Sequence, residues 1–104
     1  MKYKWMTKKG IIMEKDKLQM IADHYGIKKQ LRQLAEECSE LAVEASHSAR
    51  KGLTVGIIEE IADVEIMIEQ VKYLGRISED DIQEVKETKI ERQLKRMKEE
   101  SNNG

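Results

Sequence analysis

Four acidic side chains stand at two three-residue spacings: Glu37 and Glu40 in one stretch, Glu60 and Asp63 in another. Residues three apart project from one face of a helix, so each pair presents two carboxylates side by side. Glu36 and Glu44 extend the first group. A short connection marked by Gly52 and Gly56 separates the two stretches. Helices joined so briefly fold back antiparallel, which brings the acidic pairs face to face. Carboxylates converging from two helices cannot all stay ionised and unpaired in a partly buried site, and a cation is their natural partner. The donors are all oxygen, with no His or Cys in the clusters. That suits Mg²⁺, or Mn²⁺ in its place, and argues against zinc.

The elements that must position these groups are helices. Among 104 residues there is no Pro or Phe and there are only six Gly, while Glu, Lys, Leu, Ile, Met and Ala abound. This composition predicts one small all-α domain. Aromatics make up 4% and charged residues 38%, a thin core for a monomer, so oligomerisation is expected to complete it. The formal net charge of −1 gives no footprint for nucleic acid. The single Cys38 rules out an intrachain disulfide and fits a reducing compartment. No apolar run approaches the ~18 residues needed to span a bilayer. The patch at Ile11–Met13 is too short for a signal peptide, so a cytoplasmic location and no membrane partner are expected.

In chain order, residues 1–13 read as a loosely ordered basic arm, with Trp5 or one of its lysines a candidate to fold over an anionic ligand. A first helix over about 14–25 directs Leu18, Met20, Ile21 and Tyr25 to the core, and Gly26 stops it. A second, over about 28–51, gathers Leu31, Leu34, Ala35, Cys38, Leu41, Ala42, Ala45 and Ala49 on one side. Glu36, Glu37, Glu40 and Glu44 lie opposite, where a solvated face is the plain explanation. The third helix, to about Leu74 with Thr54 as N-cap, is apolar around most of its circumference and should be central and buried. Solvation explains Glu60 and Asp63 less well there, and the helix has no Lys or Arg before Lys72 to pair them. Ser78 caps a fourth helix, with a stripe of Ile82, Val85, Ile90, Leu94 and Met97 and a basic second half. The domain is taken as 14–100, with 101–104 a disordered tail. Cys38 reads as core and His47 as surface.

At the two acidic motifs the sequence resembles the all-α nucleoside triphosphate pyrophosphohydrolases, the MazG-like superfamily. The residues that carry the likeness are Glu36-Glu37-x-x-Glu40 within Leu34–Leu41, Glu60-x-x-Asp63 within Glu59–Val64, and Gln30-Leu31 upstream; it extends over about 15–97. The resemblance implies a four-helix MazG-like bundle completed by dimerisation or tetramerisation. It implies Mg²⁺-dependent hydrolysis of a nucleoside triphosphate between its α- and β-phosphates, giving the monophosphate and pyrophosphate, as nucleotide-pool housecleaning. Glu37, Glu40, Glu60 and Asp63 would hold the metal. Glu36 would be the catalytic group that positions or deprotonates the attacking water. Lys89 and Arg92 look like the family's phosphate-binding stretch, although alternating Lys, Arg and Glu on a terminal helix is also ordinary surface. Gln30, His24, Tyr25 and Trp5 are unranked candidates for base recognition. Two other readings stand beside this one: a phosphoribosyl-ATP pyrophosphohydrolase-like enzyme, and a non-catalytic helical interaction module.

Overall fold

Four α-helices follow one another, with no strand among the described residues: α1 (Glu14–Tyr25), α2 (Ile27–Lys51), α3 (Val55–Gly75) and α4 (Glu79–Asn103). The structure is a computed structural model and describes residues 14–103. The expected arm over 1–13, Trp5 included, and Gly104 lie outside the described residues. Breaks fall where backbone chemistry demands them. Gly26 and Gly52 adopt φ 86° and 97°, a region L side chains rarely enter. The Gly52 N–H closes onto the Ser48 carbonyl at 2.8 Å. At the end of α3 the stop lies later than expected: Gly75 stays helical and Arg76 takes the left-handed conformation at φ 53°. Ser78 caps α4 as the sequence predicts, its Oγ accepting the Asp80 N–H at 3.1 Å and the Asp81 N–H at 3.3 Å. The helix then runs on through Ser101, Asn102 and Asn103, where a disordered tail was expected.

Both α1 and α2 pack on α3, and the α2–α3 hairpin is the larger contact. Among the described residues the buried apolar side chains are few: Ala22, Val64, Met67 and Val71. Three expectations about facing need correction. On α1, Ala22 is the buried residue, while Met20, Ile21 and Tyr25 are exposed. On α2, the line that meets α3 is Gln30, Leu34, Glu37, Leu41, Glu44 and Ser48, all buried or half-buried. Of the apolar stripe only Leu34 and Leu41 belong to that line; Leu31, Ala35, Cys38, Ala42, Ala45 and Ala49 are exposed. Cys38 is therefore not a core residue in the single chain. On α3, one side is buried and the other is open, with Ile58 67% exposed and Ile61, Ile66 and Ile68 also exposed.

The hairpin is held in register by polar contacts spaced two helical turns apart. Gln30 Nε2 donates to Gln70 Oε1 at 2.7 Å, with the two residues 4% and 2% exposed. Seven residues further along α2 and seven back along α3, Glu37 meets Asp63. Another seven in each direction brings the Glu44 carboxylate against the backbone at Gly56. The acidic pair is the middle rung of three.

The fourth helix joins no packed interface with the others in the single chain, and none of its residues is buried. Among the described residues its one ion-paired tie is at the start, where Lys72 of α3 pairs with Glu79. That pair holds Glu79 below the usual carboxylate range, and Lys72 above its ordinary value. The four helices are as expected, but only three of them form a bundle within one chain.

Candidate metal centre

Carboxylate oxygens of Glu37, Glu60 and Asp63 lie within 4.8 Å of one another. Glu37 comes from the buried line of α2; Glu60 and Asp63, three apart, come from the facing side of α3. Glu37 and Glu60 are half-buried and Asp63 is exposed, so the group opens to solvent at its Asp63 side. Glu40 is exposed but close enough to share a hydrogen bond with Glu37. Together with Ser39, Val43, Glu44 and Glu60 it lines a depression of about 380 Å³ on the same flank of the hairpin.

The electrostatics of the group are those of crowded acids. Loss of solvation, then hydrogen bonds to Asp63 and Glu40, push the Glu37 carboxyl from 4.5 up to about 7. Glu60 is raised too, first by desolvation and then by the charges of Glu40, Asp63, Glu44 and Glu59. Among the described residues, no Lys or Arg forms an ion pair with any of them; both ion pairs belong to Lys72. Glu60 Oε2 is shut off from solvent and has no hydrogen-bond partner. A buried carboxylate oxygen without a donor is costly unless it is protonated or meets a cation. An all-carboxylate donor set with one such orphaned oxygen fits a hard divalent cation.

A pH dependence follows from the raised Glu37. An acid whose folded pKa lies above its unfolded value binds more protons when folded between the two values, so stability falls as pH rises through that window. For Glu37 the window runs from 4.5 to about 7. Thermal melts in chelator should show the metal-free protein most stable near about pH 5 and less stable at about pH 8. Affinity for a divalent cation should change in the opposite direction, rising as Glu37 loses its proton. A melting temperature flat or rising over this interval would mean that Glu37 titrates as an ordinary surface acid.

The other sequence-predicted residues fall as follows. Glu36 is exposed on α2 and is not part of the converging group. Gln30 is buried, with its amide engaged by Gln70. Lys89 and Arg92 share one face of α4 with Asp81, Glu84, Val85 and Thr88, and α4 does not pack on the acidic hairpin within the chain. His24 stacks edge-on against Tyr25, with ring centroids 4.7 Å apart, and Lys29 lies over the Tyr25 ring. His47 is exposed. The sequence reading passed over Gln70 and the Tyr73–Asp23 pair, in which the Tyr73 hydroxyl donates to the Asp23 carboxylate at 2.9 Å. Gln70 was legible as a lone amide at helical spacing in an apolar run; nothing local points to Tyr73–Asp23, which are 50 residues apart. No helix among the described residues is long and apolar enough to cross a membrane. No protein-family model, curated protein or solved structure matches the chain.

Proposed function

We propose that this protein is a Mg²⁺-dependent nucleoside triphosphate pyrophosphohydrolase of the MazG-like kind, working as a homodimer or homotetramer. The observation that carries the reading is the meeting of Glu37 with Glu60 and Asp63 across the α2–α3 hairpin, which includes an orphaned buried oxygen on Glu60. The resemblance of the two acidic motifs supplies the reaction class. Glu37, Glu60 and Asp63, with Glu40 beside them, would hold the cation. Bound there, it would neutralise triphosphate charge and lower the pKa of a ligating water. Glu36, on the solvent side of the same helix, would accept the proton of that water.

Phosphate oxygens also need cationic partners, and among the described residues no Lys or Arg pairs with the acidic group. Lys89 and Arg92 supply them in this reading, brought by the α4 of a second copy, since their own α4 does not pack on the site. The oligomer is further supported by the shortage of buried apolar side chains and by the open faces of α2, α3 and α4, where Ile58, Leu31, Val85 and Met97 are all exposed.

The test is Mg²⁺-dependent release of pyrophosphate from a panel of NTPs, dNTPs, modified nucleotides and phosphoribosyl-ATP. The expected result is pyrophosphate plus monophosphate from one or more of them. Glu36→Gln should then cut turnover by at least about 10²-fold, the usual worth of a proton acceptor, with cation affinity unchanged. No pyrophosphate from any nucleotide, together with a melting temperature indifferent to Mg²⁺ and Mn²⁺, would favour the interaction module.

A further inference from the structure

We infer that Glu44 is a positioning residue that clamps the start of α3 against α2 and so sets Glu60 and Asp63 opposite Glu37; this rests on the cation-site reading above. The Thr54 hydroxyl occupies the N-cap position of α3 but makes no capping bond to the helix. It donates instead to Glu44 Oε1 at 2.6 Å. The first turn of α3 contains no acid of its own. Glu44, reaching across from α2, brings a negative charge to the positive end of that helix.

The fit depends on Gly56. A Cβ on that residue would stand 2.7 Å from Glu44 Oε1 and 2.8 Å from Cδ, closer than any packed contact allows. Glycine here is needed for close approach, since its backbone is ordinarily helical. The carboxylate lies in a notch that only a missing side chain leaves open. Glu44 also lines the same depression as Glu40 and Glu60. With the Gln30–Gln70 amide pair two turns to the other side, the acidic rung is bracketed by two polar locks, one neutral and one charged. A helix pinned at both ends of its contact cannot slide, and sliding by one residue would turn Glu60 and Asp63 away from Glu37.

The clamp and the cation site are tested separately. Thermal melting without metal reads the clamp through a double-mutant cycle of Glu44→Ala and Gly56→Ala. Alanine at position 56 favours helix but displaces the carboxylate, so it should raise the melting temperature several degrees more in the Glu44→Ala background than in the wild type. Equal effects in both backgrounds overturn the clamp. Titration with Mn²⁺ reads the positioning: Glu44→Ala should bind about tenfold more weakly, as removal of an outer-shell partner does. Glu44→Gln keeps an acceptor for Thr54 and should stay within about threefold of the wild type. A Glu44→Gln loss as large as that of Glu44→Ala would show that the hydrogen bond to Thr54 is not what sets the site, overturning the positioning role argued from it, as would wild-type affinity in Glu44→Ala. A wild type that binds no Mn²⁺ yet retains the coupling in the melts overturns the cation reading and leaves the clamp.

Discussion

Replacing Asp63 with alanine is expected to abolish Mn²⁺ binding while the far-ultraviolet helical signal remains that of the wild type. Asp63 is exposed, so its removal opens no cavity in the α2–α3 contact. It is also one of three acids whose oxygens lie within 4.8 Å, and its charge and hydrogen bonding help to raise Glu37. Taking it away relieves repulsion in the metal-free protein, whose melting temperature should therefore stay level or rise. Removing a ligand from a three-carboxylate set has the opposite consequence for the ion, since a hard cation binds by summing such oxygens. Glu87→Ala, an equally exposed acid on α4, is the control for general charge loss and should leave Mn²⁺ affinity unchanged. Asp63→Ala that loses its helical signal would make the residue structural. Undiminished binding would remove the triad as the site.

The second large effect lies two turns away, in the buried amide pair. Gln70→Leu should destabilise the protein by about 1–3 kcal/mol, because it leaves the amide of Gln30 buried without its partner. In a domain of this size each kcal/mol moves the melting temperature by about 4–8 °C. The double variant Gln30→Leu/Gln70→Leu should recover most of that loss, since replacing both partners by apolar groups of similar volume orphans neither. Recovery in the double variant distinguishes a satisfied polar contact from simple packing, for which the two changes would add. If Gln30 instead recognises a nucleotide base, Gln30→Leu alone would raise KM at little cost in stability.

The helices themselves were easy to read, since the chain is punctuated by Gly26, Gly52 and Ser78 and has no proline to confuse the count. The acidic residues that meet were also legible, because Glu37 and the Glu60/Asp63 pair stand out by type and spacing. What periodicity missed was which face of α2 meets α3. A hydrophobic average weights Leu31, Ala35, Cys38 and Ala42 and turns the helix toward them. The actual contact line carries Gln30, Glu37, Glu44 and Ser48 among its members, and polar rungs are invisible to such an average. The same blindness hid Glu44 and Gly56, which look like a surface acid and a loop glycine until their close approach is seen. The single-chain placement of α4 was beyond reach for a different reason. Its stripe of Ile82, Val85, Ile90, Leu94 and Met97 implies a partner surface, and amphipathic spacing does not say which molecule provides it.

That uncovered fourth helix has a consequence for how the chain comes apart. A helix of 25 residues with nothing buried stands on its own local hydrogen bonds and side-chain pairs, while α1–α3 share a common interior. Its amides should exchange with solvent through openings of small free energy, at rates set by fraying, and those of Val64 to Val71 only through larger openings. Diluted until its copies separate, the chain should thus melt in two stages, the C-terminal helix first. A single transition temperature would then report on the acidic hairpin and α1 alone.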